Sequence, residues 1–149
     1  VTEMITQTDL VQEQLRVAAG LGMAFKQSEL AVRGHAIELR VNAEDPDHDF
    51  RPSAGVITDV HWPGGPGIRV DSHVYAGYRI PPNYDSLIAK IIAWAPSREE
   101  AIARMERVLK ETVVEGVKTT IPFHLKVLGN AFFRRGDVYT NFIARRMSS

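Results

Sequence analysis

The sequence contains no cysteine, so thiolate metal sites, thiol nucleophiles and disulfides are excluded and the redox compartment is left open. Net charge is also absent. Eighteen basic side chains stand against eighteen acidic ones, and the strong field of a nucleic-acid or anionic-membrane binder is missing. Small molecules or proteins are the expected partners, with no nucleic acid and no membrane among them. No apolar run approaches the roughly 20 residues needed to cross a bilayer, and the first residues lack the basic and apolar blocks of a signal peptide. A cytoplasmic protein is the default expectation. The chain opens at Val1 without methionine, and Val1-Thr2-Glu3-Met4-Ile5 reads as mid-domain text, so a fragment of a longer protein is expected.

What is present fits one globular domain over residues 1–149: 44% of the residues are hydrophobic and 24% charged, enough to bury a core without disulfides. Asp9, with Gln12 three residues on, predicts a capped helix from about Asp9 to Ala19, with Val11, Leu15 and Ala18 on one stripe and Gly20 as the stop. His35–Asn42 alternates, Ile37, Leu39 and Val41 on one face against Glu38, Arg40 and Asn42 on the other, which predicts a half-buried strand. Between Glu44 and Ser86 the breakers Pro46, Pro52, Gly55, Pro63-Gly64-Gly65-Pro66-Gly67, Gly77 and Pro81-Pro82 separate short β-rich runs at Val56–Trp62, Ile68–Val70 and Val74–Ile80. Such dense turn signals predict an antiparallel meander. Leu87–Ala95 reads as a central strand stopped by Pro96. Ser97-Arg98-Glu99-Glu100 is a capping box, followed at helical spacing by Ile102, Met105, Leu109 and Val113. Thr120 is positioned to cap a short helix through Phe123, Val127 and Leu128, with one more turn at Ala131–Arg135. Strands early and helices at the ends define an α+β class, an antiparallel sheet flanked by helices.

Candidate chemistry is sparse. Glu38 and Arg40, two residues apart on a strand, share a face with Cα atoms about 7 Å apart, and form either a common polar site or an exposed ion pair. Glu44 and Asp45 put two carboxylates in a turn, where acid–base work, a cation or simple turn capping are the alternatives. The ligand spacing of an EF-hand is absent. Gly64-Gly65-Pro66-Gly67 is neither followed by Lys-Ser/Thr nor placed before a helix, so a tight hairpin suits it better than a phosphate cradle. The five histidines contain no i, i+4 pair for a helical zinc site, and Ser86 lacks the Gly-x-Ser-x-Gly elbow. No self-contained active site emerges.

Several motifs in order resemble one family. Arg33-Gly34-His35-Ala36-Ile37-Glu38 and Arg40-Val41-Asn42-Ala43-Glu44-Asp45-Pro46 are followed by Pro63-Gly64-Gly65-Pro66-Gly67-Ile68-Arg69-Val70-Asp71-Ser72, Tyr75-Ala76-Gly77-Tyr78, Tyr84-Asp85-Ser86-Leu87-Ile88 and Glu115-Gly116-Val117-Lys118-Thr119. Together they resemble the C-terminal domain of biotin carboxylases, with the look of the bacterial acetyl-CoA carboxylase subunit; propionyl-CoA, methylcrotonyl-CoA and pyruvate carboxylases share them. The resemblance implies a ligase in which an ATP-grasp portion uses ATP and magnesium (Mg2+) to activate bicarbonate as carboxyphosphate. The carboxyl group then passes to biotin on a biotin carboxyl carrier protein, the first half-reaction of acetyl-CoA carboxylase in fatty acid biosynthesis, with a separate carboxyltransferase completing the sequence. The nucleotide- and metal-binding motifs of the family lie upstream of what matches Val1, so this chain alone is expected to be inactive.

By the same resemblance, Arg40 matches the arginine that sits at biotin and bicarbonate and stabilises charge on the ureido oxygen. A permanently cationic, rigid fork of donors suits that task. Glu38, from its place on the strand face, is read as positioning Arg40. Arg69 matches a position near the subunit interface of dimeric relatives, which implies a homodimer, although Pro66 stands where those dimers often carry an aromatic. Thr140, before Asn141 and Phe142, resembles a tail position on the adenine side of the nucleotide pocket. Asn83 and Ala89 also depart from common family choices. The alternative reading is a non-catalytic assembly module of a biotin-dependent carboxylase such as pyruvate or propionyl-CoA carboxylase.

Overall fold

A computed structural model describes residues 1–147. Two helices come first: α1 (Thr2–Thr6), which the sequence pattern did not announce, and α2 (Leu10–Ala18). Asp9 caps α2 as expected, its carboxylate accepting from the Gln12 amide at 2.9 Å. The apolar stripe of α2 stays uncovered by this chain, with Val11 and Leu15 at 60% and 67% exposure. Its one buried residue is Glu13, which accepts from the Ala24 amide.

The strands follow. β1 (His35–Asn42), β2 (Glu44–Asp45), β3 (Arg51–Pro52), β4 (Gly55–Val56), β5 (Asp59–His61), β6 (Ile68–Ser72), β7 (Arg79–Ile80) and β8 (Leu87–Ala95) precede α3 (Arg98–Glu111), and β9 (Val113–Glu115) comes after it. The main sheet has the order β1-β8-β6, so β8 is central, as its unbroken apolar run requires. β2 pairs with β3, β4 with β7 and β5 with β9, all antiparallel. The chain ends with α4 (Ile121–Gly129), α5 (Ala131–Arg134) and α6 (Phe142–Arg146). The α+β antiparallel architecture expected from the sequence is borne out.

Four local expectations need correction. The run Val56–Trp62 is not one strand: it breaks at Ile57 and Thr58 into β4 and β5, which pair with different partners, β7 and β9. Val113 does not continue the α3 stripe, because the helix ends at Glu111 and Val113 opens β9, paired with His61. Most of the run Val74–Ile80 is turn, closed by the Tyr78 amide on the Tyr75 carbonyl, so only Arg79 and Ile80 are strand. Thr120 stands at the cap position of α4 but gives its hydroxyl to β1 instead of to the helix.

The core lies between the inner face of the main sheet and α3. Ile37, Val41, Ala89, Ile91, Ala93 and Ala95 meet Ala101, Ile102, Met105, Val108 and Leu109, all buried. The alanines of β8 let the helix approach closely, and each large aliphatic side chain contributes about 1.5–3 kcal/mol by leaving water. α3 starts where the sequence predicted: the Ser97 hydroxyl accepts from the Glu100 amide, and the Glu100 carboxylate accepts from the Ser97 amide at 3.0 Å. Gly67, at φ +74°, lets the hairpin before β6 lie against the β8 backbone; a Cβ there would run into the Trp94 carbonyl and the Arg104 guanidinium. Among the described residues no helix is long and apolar enough to cross a membrane.

Candidate functional site

The outer face of the main sheet is charged. Residues paired directly across antiparallel strands point to the same side. The register therefore builds two rows, Glu38–Ile92–Arg69 and Arg40–Lys90–Asp71, across β1, β8 and β6. Period-two alternation placed Glu38 and Arg40 together, as expected. Only the strand order brings Lys90, Arg69 and Asp71 beside them.

Within this face the charges differ in how well they are matched. Arg69 is held twice, by Glu3 of α1 at 2.7 Å and by Asp71 at 2.9 Å. Both carboxyls are thereby held below the ordinary carboxylate range, and the guanidinium is raised. The Arg40 side chain, by contrast, is exposed and makes no hydrogen bond or ion pair among the described residues. Its direct neighbour in register is another cation, Lys90. Like charges opposite one another on a sheet repel, so an anion at Arg40 would gain attraction from both cations, with Lys90 shared with Asp71 on its other side, whose carboxyl it also helps to hold down. Glu38 shares the face with Arg40, and no ion pair joins them among the described residues.

The backbone beneath Arg40 is fastened from both sides. On one edge β1 pairs with β8, with a register shift between Val41 and Asn42. On the other edge, which no strand covers, the Arg40 carbonyl accepts from His124 Nε2 at 2.8 Å and from the Thr120 hydroxyl at 3.3 Å. The Asn42 amide donates to that same hydroxyl at 3.0 Å, and the Thr120 amide donates to the Asn42 carbonyl. A carbonyl only accepts, so the His124 ring carries a proton on Nε2. Burial holds the imidazole pKa below the ordinary histidine range, against a smaller upward pull from the Arg40 carbonyl.

Other motif residues prove to be fasteners. Ser86 donates to Glu44 at 2.5 Å, and the Asn42 side-chain amide donates to both Glu44 and Ser86. This triangle ties the end of β1 to the start of β8. Asp45 accepts from the Asp47 amide and pairs with His48, the turn-capping alternative of the sequence reading. The histidines are dispersed, His35 on Arg98, His48 on Asp45 and His124 on β1, and no metal-holding group of three His, Cys, Asp or Glu occurs among the described residues. Pro66 is exposed in the hairpin turn, and Thr140 is exposed in the turn before α6. Sequence reasoning did not single out Lys90, Thr120 or His124 as parts of this site. Lys90 could have been found by pairing the strands correctly, whereas the last two meet β1 across 78 to 84 residues of chain.

The comparisons with known proteins agree with this architecture. The biotin carboxylase of Nostoc sp. is 54% identical over 96% of this chain and 32% of its own length. A pyruvate carboxylase subunit of Methanothermobacter thermautotrophicus is likewise 54% identical over 96% of the chain, and 29% of its own length. Among solved structures, the biotin carboxylase domain dimer of Hydrogenobacter thermophilus 2-oxoglutarate carboxylase, in complex with MgADP, ADP and bicarbonate, superposes with a TM-score of 0.96. It is 45% identical, over 99% of this chain and 32% of that one. The chain thus spans about a third of the length of the relatives it matches. Residues 38–145 match the family model of the biotin carboxylase C-terminal domain, and the chain belongs to that family.

Proposed function

We propose that this chain completes the active site of an ATP-dependent biotin carboxylase whose ATP-grasp portion lies elsewhere in the same protein. The observation that carries the reading is Arg40: a guanidinium without a partner among the described residues, next to Lys90, on a strand whose backbone is fastened on both edges. ATP and magnesium would be held mainly by the ATP-grasp portion. The exposed stripe of α2 is apolar surface that such a portion would cover.

Biotin, delivered on a biotin carboxyl carrier protein, supplies the ureido nitrogen that accepts the carboxyl group. Arg40 fits it: the exposed fork would donate to the ureido oxygen, or to bicarbonate beside it, where negative charge grows as the nitrogen loses its proton. Lys90 adds to the same positive field. Glu38 is proposed to bias the orientation of Arg40, and Thr140 to lie toward the adenine side of the nucleotide. Arg69 and Pro66 are proposed as homodimer contacts, for which sedimentation of the parent protein with Arg69→Glu is the check.

The acceptor proposed for the carboxyl group is acetyl-CoA, through a separate carboxyltransferase, which would place the protein in the cytoplasm or an equivalent compartment at the start of fatty acid synthesis. A keto-acid acceptor is the second reading, favoured by the equal identity to the pyruvate carboxylase relative. A purely assembly-related role is the alternative from a different class. The deciding experiment is Arg40→Ala in the full-length carboxylase. Carboxylation of free biotin should slow by on the order of 100-fold while bicarbonate-dependent ATP hydrolysis survives better. Near-normal biotin carboxylation would remove Arg40 from the chemistry and favour the assembly role.

A further inference from the structure

We infer that His124, with Thr120, is a positioning residue for Arg40, acting through the Arg40 main-chain carbonyl and not through contact with substrate. The inference rests on the reading of Arg40 given above.

Three observations converge on it. First, β1 is an edge strand of the sheet, and an edge strand has main-chain groups that no neighbouring strand satisfies. At Arg40 and Asn42 these groups are met by Thr120 and His124 at the start of α4. Second, the register of β1 against β8 shifts between Val41 and Asn42, next to Arg40: Val41 pairs with Ala89 but Asn42 with Leu87, so the extra residue, Ile88, belongs to β8. The bulged strand is the one that bends, so the β8 side of the ladder is interrupted here and the bonds from Thr120 and His124 on the other edge hold β1 at Arg40. Third, the Arg40 guanidinium has no partner of its own among the described residues. With no bond at its tip, the side chain takes from its backbone the position from which it reaches out.

His124 suits this task better than an aliphatic residue. Its Nε2–H reaches the Arg40 carbonyl at 2.8 Å, shorter than the 3.3 Å bond from Thr120. It sits on the first turn of α4, which also packs against α3. The aim of Arg40 is thus coupled to the helix layer that carries the core. A displacement of about 1 Å at a reacting group can cost about 100-fold in rate. Losing one of two bonds to the carbonyl should displace it less, giving a fall of about 10-fold.

The test uses the full-length carboxylase and four variants: H124F, which keeps ring volume without a donor; H124Q, which keeps an N–H donor at similar reach; R40A; and the double variant R40A/H124F. Expected for H124F is a kcat for free-biotin carboxylation about 10-fold lower, with biotin-independent ATP hydrolysis and the KM for ATP unchanged. H124Q should recover to within about twofold of wild type, and H124F should add less than about twofold in the R40A background. An H124F loss of the same size in both backgrounds, an equal fall in ATP hydrolysis, or an H124Q as slow as H124F would overturn the inference and leave the Arg40 reading intact. An R40A enzyme of normal rate would overturn the Arg40 reading itself, and this inference with it. If H124F does not fold, H124N, whose amide is too short to reach the carbonyl, takes its place with the same expected and overturning results.

Discussion

Replacing Thr120 by valine exchanges a hydroxyl for a methyl group of nearly the same shape, so no cavity is created and the effect isolates the polar contacts. Thr120 is 5% exposed, and its Oγ1 both accepts from the Asn42 amide at 3.0 Å and donates to the Arg40 carbonyl at 3.3 Å. The Arg40 carbonyl keeps its bond from His124 in the variant, so the loss on that side is small. The Asn42 amide keeps nothing, and an orphaned donor that is only partly buried costs toward the lower end of about 1–3 kcal/mol. Thr120→Ser supplies the control. It keeps the hydroxyl and removes one methyl, worth about 0.8 kcal/mol, so T120V should be the less stable of the two. Urea unfolding followed by circular dichroism would measure this as a shift in midpoint at constant slope. A T120V protein within about 0.5 kcal/mol of wild type, or one more stable than T120S, would refute the claim that this hydroxyl holds the free edge of β1.

Other outcomes follow from the same structure. Ser97→Ala removes half of the capping box of α3 and should destabilise the chain by about 1 kcal/mol, read from the same urea midpoint. Gly67→Ala should cost at least the roughly 1–2 kcal/mol of a left-handed backbone, because its Cβ would also meet the Trp94 carbonyl. Gly64→Ala, with open space around the added carbon, should stay within about 0.5 kcal/mol of wild type. Stability should also depend on pH in a defined direction. His35, lowered by burial and then by the Arg98 charge, and His124, lowered by burial, both lie below their ordinary 6.5. As pH falls through that value the unfolded chain takes up protons first, so stability is greatest above it and declines below it. A second decline should begin below about 3.8, where Asp71, held down by Arg69, and Asp45, held down by His48, have their ordinary value. Urea midpoints measured from pH about 8 to about 5 that stay level would contradict the histidine part.

How much was legible in advance varies with the range of the interaction. The strand His35–Asn42, the central strand Leu87–Ala95 and the capped start of α3 were read correctly because alternation, a long apolar run and a capping box are all local. Val113 was misassigned for an equally local reason: it continues the helical spacing of Ile102, Met105 and Leu109, but pairing with His61 in β5 outweighs that pattern. Thr120 looked like a helix cap because a threonine before an apolar helical run usually is one. Here the unsatisfied edge of β1 claims the hydroxyl instead.

The same division holds for the site. Sequence alone determined that Glu38 and Arg40 share one face, since a strand alternates with period two whatever its neighbours are. It also determined that the chain carries no thiol chemistry. Only the tertiary structure decided which groups surround Arg40. The order β1-β8-β6 sets Lys90 and Asp71 in its row, and α1 brings Glu3 to Arg69, while Arg40 has no partner among the described residues. The packing of α4 against the edge of β1 supplies His124 and Thr120. These are contacts between residues far apart in the chain, set by register and helix docking, and no local periodicity encodes them.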